Sequence, residues 1–390
     1  MSLSLFFRPV DSSVYEWVSN QNTAFKAVDV YTEEFPNYAE ADIALVGLTE
    51  HRGSEFDEGM ERAADTIRQA FYRLKKGSGA YKVVDLGNLV NGHSLEETYG
   101  RVREVCETLI SYQTFPILIG GSHDLDYGQY QAYETMEKLV TVLSVDAFID
   151  VERRTDSSQE SRANQHHLHQ ILMHDPNYLL NYSHLGYQTY LVDAEVPALL
   201  DKFYFDTYRL GLVNQNIATM EPILRSADML SFDISAIKSA DAPGHARTQP
   251  FGMTGQEACQ LCWYAGHSER LTSAGFYEYN PDFDDERQTT AAILAVMVWY
   301  LIEGYYHRTY EEDFESNDFI KYLVPLPTPP EQIIFYKAKK SEKWWMEVPT
   351  PPTERMNERK SIVPCDPSDY EMATQGEIPD RWIQTQAKYS

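Results

Sequence analysis

The chain has 390 residues, of which 43% are hydrophobic and 24% are charged, so it can bury a large core. Its formal net charge of −26 excludes the basic face that nucleic-acid binding requires, and we expect no nucleic-acid partner. The first residues lack a signal-peptide pattern, and the longest apolar run, 291–302, is shorter than the roughly 20 residues of a membrane span. Four cysteines are too few for a disulfide framework. We therefore predict a cytoplasmic protein without a membrane partner.

Apolar runs alternate with amphipathic segments along most of the chain. We predict strands at 42–47, 81–87, 116–119, 139–145, 189–192, 208–213, 229–232 and 275–279. We predict helices at 61–74, 94–110, 128–138, 221–225, 255–266 and 286–308. This alternation is typical of a three-layer α/β fold with a doubly wound, mostly parallel sheet of about eight strands. We place this domain at 41–310, between an N-terminal extension at 1–40 and a C-terminal extension at 311–390, where 332–336 and 343–348 could pair as strands.

Three of the predicted strands end in motifs that are rich in aspartate and histidine. Strand 116–119 runs into Gly-Gly-Ser-His at 120–123. Strand 139–145 is followed by Asp146 and Asp150, and strand 229–232 is followed by Asp233 and Ser235. Sites in open α/β sheets form beyond the carboxyl ends of strands, so these side chains should meet at one edge. One imidazole and several carboxylates suit a hard or borderline divalent metal.

These motifs, followed by Ala-Pro-Gly at 242–244, resemble those of the arginase–agmatinase–formimidoylglutamase (ureohydrolase) family. The family pattern is Gly-Gly-x-His, then Asp-x-His-x-Asp, then Ser-Phe-Asp-x-Asp. Two positions differ, because Phe148 stands where the family has histidine and Ser235 where it has aspartate. The small residue before His123, the acid after it and Gln-Ile-Leu at 170–172 are most similar to formimidoylglutamases.

The resemblance implies a metal site with two of its six ligands replaced. In the family, two manganese ions share six protein ligands. The set for one ion is complete, at His123, Asp146, Asp150 and Asp233. The other ion of the family has two ligands that it does not share with the first. Phe148 and Ser235 stand at these two positions, and neither is a good metal ligand. We therefore predict one ion, with Mn²⁺ as first choice for this oxygen-rich set and Zn²⁺ or Fe²⁺ as alternatives. The four residues could instead be relics held in hydrogen bonds at strand ends.

The resemblance also implies residues for a reaction. Glu278 matches the family's acidic residue that faces the amidine or guanidine group of the substrate, where a carboxylate can form paired hydrogen bonds. It could instead be a surface acid at a strand end. The histidine-rich segment 164–169 lies where the family has a substrate-binding loop, and His169 is our candidate proton shuttle, against the alternative of an ordinary loop histidine.

We therefore predict a metal-dependent hydrolase of linear C–N bonds in an amidine or guanidine, with a formimidoylglutamate-type substrate favoured. We expect a small-molecule substrate and a homo-oligomer. The alternative is a catalytically degenerate relative that acts as a binding or structural protein. A metal-dependent deacetylase, which shares the fold, is disfavoured because its metal-binding histidine corresponds to Phe148. A second metal site could still form if Asp124, His166, His167 or His169 turned toward it.

Overall fold

The computed structural model describes residues 3–55, 58–151, 162–311, 313–349 and 361–389. The strands within these ranges are β1 (Phe7–Arg8), β2 (Asp29–Val30), β3 (Ile43–Gly47), β4 (Val83–Leu89), β5 (Phe115–Ile119), β6 (Val140–Val145), β7 (Leu179–Tyr187), β8 (Asp206–Arg209), β9 (Met229–Asp233), β10 (Ser273–Tyr277), β11 (Phe319–Pro325), β12 (Gln332–Ala338), β13 (Trp344–Val348) and β14 (Ser361–Cys365). The α-helices are α1 (Ala24–Ala27), α2 (Ala63–Phe71), α3 (Leu95–Ser111), α4 (Asp126–Thr135), α5 (His167–Leu172), α6 (Glu195–Lys202), α7 (Leu210–Gln215), α8 (Glu221–Ser226), α9 (Gly255–Gly266), α10 (Thr289–Tyr306), α11 (Pro367–Thr374) and α12 (Asp380–Tyr389).

The central sheet contains ten of the described strands, in the order β1-β4-β3-β5-β10-β9-β6-β7-β8, with β2 paired to β4 outside this path. Every pair of neighbouring strands among the eight strands β3 to β10 is parallel, whereas β1 runs antiparallel to β4. Strands β3 to β10 supply the eight parallel strands that the alternating pattern predicts. The predicted doubly wound, mostly parallel α/β fold is confirmed.

Helices cover both faces of this sheet. Ile43 and Leu45 of β3 point into a hydrophobic cluster with α2, α9 and α10. Ala44 and Val46 point into a second cluster with α3. A parallel strand that is buried on both faces needs apolar residues at every position, which explains the unbroken apolar runs in the sequence.

Two predicted strands differ from the observed ones. Residues 189–192 lie in a turn, and the strand at this place in the sheet is β7, at Leu179–Tyr187. Polar residues inside β7 conceal it from an apolar pattern, although His184 is buried and pairs with the hydroxyl of Tyr182 at 2.8 Å. The predicted strand 208–213 divides at Leu210 into the end of β8 and the start of α7.

Helix α10 alone among the described helices has the length and apolar composition of a membrane span. It packs against α9 and α2, and 56% of it is buried inside the protein. Its apolar residues therefore belong to the core, as the composition of 286–308 predicts.

Both extensions pack against the central domain. Strands β1 and β2 join the sheet through β4. Strands β11 to β14 form a separate antiparallel sheet, in which β12 pairs with β13 as predicted. Arg225 of α8 donates to the Trp344 carbonyl at 2.9 Å and lies 4.4 Å from the ring centre of Trp345. Since α8 precedes β9, the C-terminal extension attaches near the amino ends of the strands, away from the motifs.

Candidate metal centre

Four adjacent strands, β5, β10, β9 and β6, deliver the motif residues to one edge of the sheet. His123 follows β5, Asp146 follows β6, Asp233 ends β9 and Glu278 follows β10. The turn after β5 requires glycine at 120, where φ is 84° and a Cβ atom would lie 2.9 Å from the Leu48 carbonyl oxygen. This turn brings His123 back over the strand ends.

The predicted metal-binding residues are buried together. His123 Nδ1 lies 3.4 Å from Asp146 Oδ2 and 3.2 Å from Asp233 Oδ2. Ligand atoms of His123, Asp146, Asp150 and His167 all lie within 4.8 Å of one another. Three of the four predicted ligands, His123, Asp146 and Asp150, thus belong to this group. Asp233 contacts the group through His123, and His167 joins it as a fifth member.

The tautomer of His123 follows from its hydrogen bonds. The Ser231 hydroxyl donates to Asp126 Oδ2 at 2.9 Å, so its oxygen accepts from the Nε2–H of His123 at 2.8 Å. The lone pair of His123 Nδ1 therefore faces the carboxylates of Asp146 and Asp233. This arrangement is repulsive unless a cation or a proton lies between them.

The pKa shifts in this group also indicate that the site needs a positive charge. Burial lowers the pKa of His123, but Asp146 and Asp233 outweigh it and raise that pKa well above its ordinary range. Burial acts to raise the pKa of Asp146, but the neighbouring imidazole of His123 holds that pKa below its ordinary range. Without an ion, a proton on His123 takes the cation's place.

Three ligand atoms of the group form the open half of the site, the half in which the protein supplies no hydrogen bonds among the described residues. His123 Nδ1, Asp150 Oδ2 and Asp233 Oδ2 are buried and have no hydrogen-bond partner among the described residues. Burial also raises the pKa of Asp150 well above its ordinary value. Buried polar atoms without partners are costly, and a shared divalent ion would satisfy all three. The residues present therefore fit one metal ion.

In the other half of the site, the closed half, the carboxylate oxygens already accept hydrogen bonds from the protein. Ser235 Oγ donates to Asp146 Oδ1 at 2.6 Å, and the backbone N–H of Phe148 donates to the same oxygen at 2.9 Å. The backbone N–H of Ser235 donates to Asp233 Oδ1 at 2.6 Å. A second ion on these oxygens would have to displace hydrogen bonds that are already formed.

Arg247 adds a fixed positive charge on this closed side. Its guanidinium carbon lies 4.2 Å from the ring centre of Phe148, and Nη1 lies 3.9 Å from Asp150 Oδ1. Burial lowers the pKa of Arg247, but Asp150 and Asp233 outweigh it and raise that pKa further. The side chain is therefore always charged.

His245 supplies a proton donor to the same side. The backbone N–H of Arg247 donates to His245 Nδ1 at 2.8 Å, which leaves the ring proton on Nε2, 3.4 Å from Asp233 Oδ1. Sequence reasoning missed both His245 and Arg247. Their signal was their position directly after Ala-Pro-Gly at 242–244.

Glu278 lies beside His123, where the resemblance places it. Its Oε1 accepts from the backbone N–H of His123 at 2.9 Å and from Asn164 Nδ2 at 3.0 Å, while Oε2 accepts from Ser54 Oγ at 3.0 Å. Its φ of 66° is left-handed, a strained conformation for a residue other than glycine. Sequence reasoning did not single out Ser54, although Asn164 lies in the histidine-rich segment.

The structure does not bring His169 to this group. His169 is half-buried and lines a separate cavity of about 1130 Å³ with Ile149 and Leu199. His167 and His169 are two positions apart on α5, which turns their side chains about 200° from each other. His167 therefore faces the metal-binding residues, and the predicted shuttle role of His169 has no support in this geometry.

Comparisons with known proteins agree with the motifs. Residues 41–303 match the arginase family. The formimidoylglutamase of Staphylococcus aureus strain MSSA476 is 27% identical over 275 residues, which cover 67% of this chain and 86% of that protein. The formimidoylglutamase of strain MRSA252 is 28% identical over 279 residues, with the same coverage.

Solved structures share the fold. The crystal structure of Trypanosoma cruzi formiminoglutamase with Mn²⁺ aligns with a TM-score of 0.64 at 20% identity, covering 71% of this chain and 100% of that one. Bacillus subtilis formimidoylglutamase aligns with a TM-score of 0.64 at 17% identity, covering 77% and 99%. The agmatine ureohydrolase of Thermoplasma volcanium aligns with a TM-score of 0.59 at 21% identity, covering 76% and 99%. The chain belongs to the arginase family of ureohydrolase-type hydrolases.

Proposed function

We propose that the protein hydrolyses a linear C–N bond in an amidine or guanidine, with one divalent ion and a formimidoylglutamate-type substrate. The observation that carries this proposal is the convergence of three open buried atoms, His123 Nδ1, Asp150 Oδ2 and Asp233 Oδ2. The relatives named formimidoylglutamase support the substrate class.

The ion would be held by His123, Asp146, Asp150 and Asp233. A divalent ion in such a site supplies Lewis acidity and lowers the pKa of water toward about 7. Mn²⁺ stands in the related T. cruzi structure, and Zn²⁺ and Fe²⁺ are the alternatives for a set that includes imidazole.

The chain's own residues position the substrate. Glu278 has acceptor capacity left on Oε2 beyond its bond from Ser54, which suits the N–H groups of a cationic amidine. The hydrogen bonds from His123 and Asn164 hold the carboxylate in place before substrate arrives. Arg247, on the other side of the site, stabilises the charge of Asp150.

The direct test is an assay of purified protein loaded separately with Mn²⁺, Zn²⁺ and Fe²⁺. The candidate substrates are formimidoylglutamate, arginine, agmatine and guanidine, and the products to measure are formamide, urea and ammonia. We expect formamide from formimidoylglutamate. The Glu278→Gln variant should lose about 10²-fold or more in kcat/KM. Glu303→Gln, which changes a buried carboxylate outside the site, is the matched control. No product from any of the four substrates would contradict the proposal.

The second candidate is a binding protein without catalysis. The closed half of the site favours it, because Phe148, Ser235 and Arg247 occupy the surroundings of Asp146 and Asp233 that would face a second ion. Binding of formimidoylglutamate by calorimetry with no product at any metal loading would support this candidate over the hydrolase.

A further inference from the structure

We propose that His167 is a direct ligand of the same ion, so that the centre contains two imidazoles rather than one. This rests on the proposed metal-dependent function and deepens it. The matching family set supplies a single histidine, His123, and sequence reasoning named His167 only as a residue that could rescue a second site.

The position of His167 is that of a ligand. Its side chain is buried, and its ligand atom lies within 4.8 Å of those of His123, Asp146 and Asp150. His167 Nε2 is 3.8 Å from Asp150 Oδ2, and the ring centres of His167 and His123 are 4.1 Å apart. Two ligand atoms that are each about 2.1 Å from one ion are separated by at most about 4.2 Å, so the separation of His167 Nε2 and Asp150 Oδ2 allows a shared ion.

The tautomer of His167 points the same way. Its Nδ1 lies 2.8 Å from Asp126 Oδ1, and since a carboxylate can only accept, the ring proton is on Nδ1. The Nε2 lone pair therefore faces Asp150 Oδ2, which has no hydrogen-bond partner among the described residues. A lone pair opposite an unpartnered carboxylate oxygen is repulsive unless a cation or a proton lies between them, and a metal ion at this place would also complete the ligand set of His123 and Asp146.

Asp126 orients both histidines at once. One oxygen accepts directly from His167, and the other accepts from Ser231, which in turn accepts from His123 Nε2–H. A carboxylate behind the imidazole is the usual support of a metal-binding histidine, because it fixes the tautomer and the ring direction. Asp126 is thus a positioning residue for two ligands.

The second imidazole changes the expected ion. A site with two imidazoles and carboxylates is less oxygen-rich than the four residues that sequence reasoning assigned, and imidazole ligands favour Zn²⁺ and Fe²⁺. We expect the parent protein to bind Zn²⁺ more tightly than Mn²⁺ and to lose part of that preference when His167 is removed.

The alternative is that His167 binds no metal and only forms ion pairs with Asp126 and Asp150. Zn K-edge X-ray absorption on the full-length parent protein, loaded with one equivalent of Zn²⁺, separates the two readings without any mutation. Two imidazoles per Zn²⁺ are expected. One imidazole, or no bound Zn²⁺ at all, would overturn the assignment.

Variants provide the second measurement. His167→Ala should weaken Zn²⁺ binding by about 100-fold in competition with a chromophoric chelator, and Asp126→Asn by about 10-fold to 100-fold. His169→Ala, on the same helix but lining the separate cavity, is the matched control and should leave the affinity unchanged. Equal affinity in His167→Ala and the parent would also overturn the proposal.

These readouts are independent of the reaction. A two-imidazole centre in a protein that releases no product would leave the ligand assignment standing and remove the proposed hydrolysis. Hydrolysis by a protein whose Zn²⁺ carries one imidazole would do the reverse.

Discussion

Asp146 and Asp233 each face two halves of the same site, and the two oxygens of each carboxylate have different surroundings. The Oδ2 atoms face His123 Nδ1. The Oδ1 atoms accept hydrogen bonds from Ser235 and, at Asp146, from Phe148. One half presents lone pairs that need a cation, and the other half has been completed with protein donors. The comparison shows that the replaced positions are closed by hydrogen bonds rather than simply lost.

Charge explains why this division is stable. Asp146, Asp150 and Asp233 would carry three negative charges in the metal-bound protein, which the one proposed dication and the guanidinium of Arg247 would balance together. A second dication in the presence of Arg247 would leave an excess of positive charge in a buried site. The guanidinium of Arg247 thus supplies positive charge that a second ion would otherwise supply.

Removing an open ligand should have the largest effect. We expect the dialysed parent protein to retain one equivalent of metal, and Asp150→Ala to bind it more than about 100-fold less tightly. The variant should still fold, because the substitution removes a carboxyl whose pKa burial raises. Elemental analysis measures both, with Asp193→Ala, an exposed aspartate, as control. Two equivalents in the parent would contradict the one-ion proposal, and an unchanged equivalent in Asp150→Ala would show that the ion lies elsewhere.

Reopening the closed half should raise the stoichiometry. Phe148→His combined with Ser235→Asp supplies two ligands, but we expect about one ion per chain while Arg247 remains. Adding Arg247→Ala removes the competing charge, and the triple variant should bind two ions. Elemental analysis at matched metal concentrations is the measurement. Two ions in the double variant would show that Arg247 does not exclude the second ion.

His184, which donates to the backbone of Asp146, should make the stability of the fold depend on pH. Burial lowers the pKa of His184 to about 4, and its Nε2–H donates to the Asp146 carbonyl oxygen at 3.1 Å. Because the folded-state pKa lies below the ordinary value of about 6.5, the stability that neutral His184 contributes is fully present above that pH. It is lost as the pH falls toward about 4, by about 3 kcal/mol in total.

Urea denaturation of the metal-free protein between about pH 7 and pH 4 tests this effect, since the window follows from the two pKa values. The His184→Gln variant cannot titrate, so its stability should fall less steeply with acidification than that of the parent. Parallel curves for the two proteins would contradict the assignment.

The hydroxyl of Ser235 should have the smallest effect. Ser235→Ala removes the 2.6 Å hydrogen bond to Asp146 Oδ1, while the bond from the Phe148 backbone remains. We expect a loss of about 1–2 kcal/mol in the free energy of unfolding, with metal content unchanged at one equivalent. Denaturation of the metal-free protein measures the loss. A fall in metal content would instead assign Ser235 to the open half.

The parallel sheet and the edge at which the site forms could both be predicted from the sequence. Apolar runs identify strands that are buried on both faces, and the side chains that follow such strands converge because the strands are parallel. His123, Asp146, Asp233 and Glu278 could be located in this way. Strand β7 could not, because its buried polar residues break the apolar pattern.

The side chains that complete the site could not be predicted from the sequence, because they are positioned by tertiary contacts. The choice of His167 over His169 depends on where α5 begins and how it is rotated, since two positions on a helix face opposite sides. Arg247 and His245 reach Asp150 and Asp233 because the segment after Ala-Pro-Gly passes back over the strand ends. Strand ends are specified by local hydrophobic patterns, whereas side-chain directions in connecting segments depend on packing between residues distant in sequence.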